Sequence, residues 1–244
     1  MIRIYKTKDY DAMSLKAGEF LAAQVTIKPR CVIGLATGTT PIGAYNYLRE
    51  QYEAGNLSFR EVQTANLDEY VGLPGDDPNS YRYFMNTSLF DHIDIDPKNA
   101  HVPSGLGEDL EVQAKQYDQM IDENPVDIQI LGIGSDGHIA FNEPGTPFDS
   151  GTHVCDLAES TIKDNCRFFD NDISKVPTQA VTQGIGTIMK AKNILLIATG
   201  ANKAQAVKDM IEGNVDVACP ASVLQNHQDV IVIVDEAAAS LLSK

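Results

Sequence analysis

Six short runs in this chain are apolar almost from end to end: IRIY at 2–5, CVIGLA at 31–36, VQTANL at 62–67, VDIQILGI at 126–133, NILLIAT at 193–199 and DVIVIVD at 229–235. Unbroken apolar character is what a parallel strand covered on both faces requires, whereas a strand with one wet face alternates. Between the runs the apolar spacing switches to the helical period, over 9–26, 41–54, 78–90, 108–123, 203–212 and 236–243. Strands alternating with helices predict an α/β doubly wound fold, a mostly parallel Rossmann-like sheet with helices on both faces. No Pro/Gly linker or low-complexity segment interrupts the chain, so residues 1–244 read as one domain. Ligands in such folds bind beyond the carboxyl ends of the strands. Function is therefore sought in the loops that leave the ends of these runs.

After 31–36 comes TGTTP and then a helical segment. Thr40 is placed to be the N-cap and Pro41 the first helical residue, where a missing N–H costs nothing. Gly38 lets the backbone bend so that N–H groups converge, and the hydroxyls of Thr37, Thr39 and Thr40 add donors. That suits an anion such as a phosphate, although an ordinary capped βα turn explains the same residues. After 193–199 the chain echoes itself: LATGTTPIGA becomes IATGANKAQA. Lys203 here opens the helix, against the helix dipole. An anion held between the ammonium and the helix end accounts for it, and so does a solvated surface lysine.

After 62–67 stand Asp68 and Glu69, adjacent residues that point in opposite directions on extended backbone. One carboxylate facing a pocket can act as a general base if burial brings its pKa towards neutrality; loop capping is the plainer use. After 126–133 comes LGIGSDGHIAFNEPG, with Asp136, His138 and Glu143 on glycine-rich backbone. These three could ligate zinc or iron, but no second local histidine or cysteine completes a shell, so no metal and no cofactor is expected. An imidazole between two carboxylates works better as a proton relay, one acid fixing its tautomer and raising its pKa. Arg167, in RFFDND, suits a phosphate or a buried carboxylate, or a surface ion pair. His92, His101, His153 and His227 lie in contexts that suggest structural or surface roles.

Charge and cysteine usage narrow the partners. With 19 Lys and Arg against 34 Asp and Glu, the net charge is −15, which repels nucleic acid and anionic membranes. The start, MIRIYKTKDYDAM, lacks the features of a signal peptide, and no apolar run is long enough to span a bilayer. Cys31, Cys155, Cys166 and Cys219 show no CxxC spacing and read as reduced thiols of a cytoplasmic protein. Taken together, these residues point to an isomerase, lyase or hydrolase acting on a sugar phosphate. A sugar-phosphate-binding regulatory protein ranks low, since no DNA-binding segment accompanies the domain.

The segments LATGTTP, NLDEYVGLP, SYRYFM, LGIGSDGHIAFNEPG, CRFFDND and GANKA, in this order from Cys31 to Asp235, resemble the signature segments of the glucosamine-6-phosphate deaminase family. The resemblance implies hydrolytic conversion of glucosamine 6-phosphate and water to fructose 6-phosphate and ammonia, in amino-sugar catabolism. By similarity, His138 handles the ring-oxygen proton and opens the pyranose, while Asp136 and Glu143 orient and tune it. Asp68 moves the C2 proton to C1, with Glu69 in support. Gly38, Thr39, Thr40, Arg167 and Lys203 match positions that hold the phosphate, with Thr37 beside the sugar. Gly132 matches backbone that comes close to the sugar. The same fold group contains 6-phosphogluconolactonases, the alternative reading.

Some members are hexamers activated by an acetylated sugar phosphate bound by basic residues just after FNEP. Here that segment reads GTPFDSGTHVCDLAES, without arginine or lysine, and the chain ends at Lys244 without a longer tail. A monomer or small homo-oligomer without such activation is expected, with residues 146–176 the candidate cover for the site.

Overall fold

The computed structural model describes residues 1–243; Lys244, the last residue of the expected domain, lies outside them. All six apolar runs become strands of a 7-stranded, fully parallel sheet. They are β1 (Ile2–Thr7), β2 (Val32–Leu35), β3 (Gln63–Asn66), β6 (Ile128–Leu131), β9 (Ile194–Ala198) and β10 (Val230–Asp235). A two-residue strand that the sequence did not announce, β5 (Ala100–His101), completes it. The order is β1-β10-β9-β6-β2-β3-β5. In β2, β6, β9 and β10 every residue is buried, as two covered faces demand.

The winding reverses between β2 and β6: β3 and β5 continue to one side, and β9 and β10 to the other. A reversal of this kind opens a crevice at the carboxyl ends of the two strands.

Helices α1 (Tyr10–Ile27), α2 (Ile42–Glu53), α3 (Tyr81–Ser88), α4 (Leu110–Glu123) and α7 (Ala204–Glu212) fall where the periodicity put them. Asp9, Ser80 and Asp109 cap α1, α3 and α4 by accepting the backbone N–H of Ala12, Tyr83 and Val112. Two expectations are corrected. Helix α2 starts at Ile42 without a side-chain cap, so Thr40 is not its N-cap. Residues 236–241 form turns instead of a helix, with the Asp235 carboxylate taking the Ala238 N–H.

A second, antiparallel sheet carries β4 (Asp68–Tyr70), β8 (Gln179–Thr182) and β7 (His153–Asp156) in the order β4-β8-β7. Between β7 and β8 runs a flap containing α5 (Glu159–Asn165) and two short 3-10 turns. It packs on its own cluster of Tyr70, Phe141, Leu157, Phe169, Val176 and Ala180. Its stems are fixed by Asp118 of α4, which accepts from Thr152 N–H (2.8 Å) on one side and the Thr187 hydroxyl (2.7 Å) on the other. They cross so closely that a Cβ on Gly184 would stand 2.1 Å from the Gly151 carbonyl oxygen. Residue 187 belongs to α6 (Ile185–Ile188).

Candidate active site

Four loops meet at the crevice, following the adjacent strands β3, β2, β6 and β9. The loop after β6 turns back on itself through backbone bonds: Gly134 N–H donates to the His138 carbonyl (2.9 Å) and Gly137 N–H to the Gly134 carbonyl (3.1 Å). Gly137 needs a φ of 88°, a region open chiefly to glycine. The loop is pinned from outside as well. Asn142 Nδ2 bonds the carbonyls of Ile139 and Gln183, Phe141 N–H bonds the Thr182 hydroxyl, and Ala221 N–H bonds the Gly137 carbonyl.

This folding brings the predicted relay together. His138 Nδ1 lies 2.8 Å from Asp136 Oδ1 and 3.5 Å from Glu143 Oε2. Nδ1 has no well-aligned hydrogen bond, so these are charge contacts. Burial works against protonation of His138, but Asp136 and then Glu143 outweigh it and push the imidazole up to about 9. The His138 charge in turn holds Asp136 well below the ordinary carboxylate range. The ligand atoms of the three lie within 4.8 Å of one another. A metal would have to displace the proton that the two carboxylates favour on the ring, because binding needs neutral imidazole.

Asp68 sits at the start of β4, 6% exposed. Burial, followed by the neighbouring Glu69, pushes its carboxyl up to about 8, and the His138 charge pulls the other way. The two groups thus feel one another across the crevice. Glu69 points elsewhere, as alternation on a strand requires. Its carboxylate accepts the N–H groups of Tyr70 (2.8 Å), Tyr81 (2.9 Å) and Arg82 (2.9 Å), which ties β4 to the first turn of α3. These three bonds show how Glu69 supports its neighbour: they hold β4 in place against α3.

The turn after β2 is open, as an anion would need. Gly38 has a φ of 92°, and nothing lies within 4 Å of where its Cβ would be. Thr37 and Thr40 are half-buried beside it, and Thr39 is exposed. Two tyrosines shape the turn. The Tyr45 hydroxyl bonds both Ala36 N–H (3.1 Å) and its carbonyl (2.6 Å). The Tyr10 hydroxyl takes Gly43 N–H (3.0 Å) and donates to the Thr39 carbonyl (3.1 Å).

The echo after β9 proves only partial. Asp235 accepts from the Thr199 hydroxyl (2.5 Å) and from Gly200 N–H (3.0 Å), so those donors are already engaged. Lys203 lies half-buried at the entry to α7. Gly132, like Gly38, has open space where a Cβ would be. Arg167 lies exposed on the flap with its guanidinium 4.7 Å over the Phe168 ring, and among the described residues it makes no ion pair.

Sequence reasoning missed several residues that shape the site. Tyr81 stacks on Phe141 with ring planes 10° apart, lies beside Thr37, and donates to the Tyr70 hydroxyl (3.3 Å). Its signal was the SYRYFM run, which carried the family likeness without singling out the tyrosine. Asn142 and Asp235 act through backbone groups brought close only by the fold.

The match to known proteins covers this whole arrangement. A family model described as glucosamine-6-phosphate isomerases/6-phosphogluconolactonase matches residues 8–233. The glucosamine-6-phosphate deaminase of Clostridium perfringens (strain 13 / Type A) is 52% identical over 242 residues, spanning 99% of this chain and 100% of the relative. That of Thermoanaerobacter sp. (strain X514) is 48% identical, spanning 99% and 95%. A solved structure of a monomeric glucosamine-6-phosphate deaminase superposes with a TM-score of 0.95 at 46% identity, covering 98% of this chain and 99% of the other. The 6-phosphogluconolactonase from Trypanosoma cruzi shares the fold at a TM-score of 0.81 and 21% identity, covering 100% and 98%. With sequence matched from end to end and the fold superposing on these relatives, the chain belongs to the glucosamine-6-phosphate isomerase/6-phosphogluconolactonase family.

Proposed function

We infer that this protein is a glucosamine-6-phosphate deaminase, converting glucosamine 6-phosphate and water into fructose 6-phosphate and ammonia. Identities of 48–52% to deaminases over the full chain support the deaminase over the lactonase, whose likeness here is one of fold alone. The chemistry is an isomerisation with loss of ammonia, so the term hydrolase describes it poorly.

The observation that carries the reading within the site is His138, 2.8 Å from Asp136 and 3.5 Å from Glu143, facing the crevice with a buried Asp68. We assign them separate steps. His138 gives a proton to the ring oxygen as its bond to C1 breaks and the C1 hydroxyl gives its own proton to solvent, leaving an open-chain aldehyde. Asp68, in its charged form, takes the proton from C2 while the aldehyde oxygen takes one back from solvent, and the resulting enolamine accepts a proton at C1. Water then adds to the C2 imine and ammonia leaves, which balances the overall reaction. The open turn at Gly38 with Thr37, Thr39 and Thr40, together with Lys203, is assigned to the phosphate. Arg167 joins them if the flap brings it inward, and the open backbone at Gly132 is assigned to the sugar.

A monomer is the proposed state, supported by the monomeric deaminase that matches so closely. A cytoplasmic location fits four free cysteines and the lack, among the described residues, of a helix long and apolar enough to cross a membrane. The decisive assay follows ammonia and fructose 6-phosphate together from glucosamine 6-phosphate. If neither forms while 6-phosphogluconolactone is hydrolysed, the assignment is wrong.

A further inference from the structure

The hydroxyl of Thr161, on the flap helix α5, donates to Glu143 Oε1 at 2.6 Å. Thr161 is buried, 6% exposed. Four residues on, along the same helix face, Asn165 Nδ2 donates to the Tyr70 hydroxyl at 2.9 Å. One short helix therefore holds both the loop that carries the relay and the strand that carries Asp68.

The two oxygens of Glu143 are unequal. Oε1 takes the Thr161 bond, while Oε2 is buried without an aligned donor and stops 3.5 Å from His138 Nδ1. Asp136 approaches the same nitrogen to 2.8 Å. A buried carboxylate oxygen lacking a donor gains by moving to one, and the His138 ring stands within reach.

We propose that Thr161 is a positioning residue for ring opening: by holding Glu143 Oε1 it keeps Oε2 from closing on His138, so the imidazolium can still release its proton to the ring oxygen of the sugar. A ring gripped by two carboxylates at full hydrogen-bond distance is a weaker acid, and general-acid catalysis slows as the acid weakens. The inference rests on the deaminase reading, since ring opening is the step it serves.

The groups acting on this ring come from several elements. They are Asp136 and Glu143 on its own loop, Asp68 on β4, and two thiols: Cys155 on β7, which senses Glu143 and Asp68, and Cys219, which senses Asp136 and packs on Gly137. Thr161 is uncharged, so replacing it leaves all of these charges in place.

Thr161→Val removes the donor with little change of shape. Thr161→Ala does the same with a smaller side chain and carries the test if the Val variant misfolds, and Thr161→Ser keeps the hydroxyl. The His138 midpoint is read by NMR on the free protein, so this readout does not depend on the substrate assignment. From about 9 in the wild type, it is expected to rise by about half a unit in the Val and Ala variants. In the same variants kcat drops about fivefold with KM nearly unchanged, and Thr161→Ser restores both. A midpoint that stays put or falls in the Val and Ala variants overturns the proposal, as does a Ser variant as slow as the Val variant. Failure of the wild type to release ammonia would instead overturn the deaminase reading and leave the NMR midpoint to judge Thr161.

Discussion

Gly134 forms the floor beneath the His138 imidazole: a Cβ built on it would stand 2.4 Å from both Cε1 and Nδ1 of the ring, and 2.6 Å from Asp136 Oδ1. Gly134→Ala must therefore push the ring and Asp136 off their positions, while the surrounding core is untouched. Displacing a reacting group by about 1 Å costs roughly 100-fold in rate, so kcat is expected to fall by about that factor with a near-normal melting temperature. Steady-state kinetics beside a thermal melt checks this, and an active Gly134→Ala enzyme would contradict it.

The pH dependence arises from two charge states. Asp68 has to be charged to take a proton, and burial with Glu69 places its midpoint at about 8. His138 has to be protonated to give one. Burial opposes that, but Asp136 and Glu143 carry its midpoint to about 9. Activity as kcat/KM should rise as Asp68 ionises and fall as His138 loses its proton. In Asp136→Asn, which removes the closer carboxylate, the falling limb should move to lower pH. A limb that does not move would remove Asp136 from the relay.

Asp68→Asn should separate stability from activity. The folded protein binds a proton at Asp68 between the ordinary 3.8 and about 8, where the unfolded chain does not. Stability is therefore lost as pH rises through that window, and the loss is complete above it. The asparagine variant lacks that cost, so at alkaline pH it should melt above the wild type. Its deaminase rate should nonetheless drop by about 100- to 10,000-fold. A lactonase would need no carbon base, so retained turnover in this variant would favour the hydrolase reading.

Glu69→Ala tests the structural role assigned to that carboxylate. Three backbone N–H groups lose their partner at a site only 3% exposed. Urea denaturation should show a loss of about 1–3 kcal/mol, with KM changed far less than stability. A large rise in KM without loss of stability would place Glu69 at the substrate instead.

Lys203→Ala addresses the turn after β9, where Asp235 has already taken the Gly200 N–H. With its ammonium assigned to the phosphate, KM should rise roughly tenfold while kcat changes little. An unaltered KM would place the phosphate elsewhere.

The parallel sheet was legible because β2, β6, β9 and β10 are buried on both faces and so had to be written in apolar residues. The antiparallel sheet was not. Its strands β4, β7 and β8 are 3 or 4 residues long and carry Asp68, Glu69, His153 and Gln179, so neither composition nor period marks them. The relay could be read because Asp136, His138 and Glu143 are close in sequence. Asp235 and Thr161 could not: each meets its partner across at least 18 residues, through backbone and loop geometry that no local pattern encodes. The repeat at Thr199–Gly200 misled for the same reason, since a distant carboxylate had claimed its donors. Conversely, the apolar and small residues at 236–243 suggested a helix, but the Asp235 carboxylate draws in Ala238 and turns the chain instead.

The flap rests on six side chains of its own, apart from the main core under the parallel sheet. Regions held by few buried contacts open at lower free energy than the body that carries them. The flap, with Thr161 and Arg167, is therefore expected to open at a lower temperature than the sheet. The temperature at which turnover stops need not be the one at which the sheet comes apart. Working lifetime would be set by a handful of residues around Tyr70 and Phe169, and a substitution such as a better-filled contact at Val176 could lengthen it without touching a reacting group.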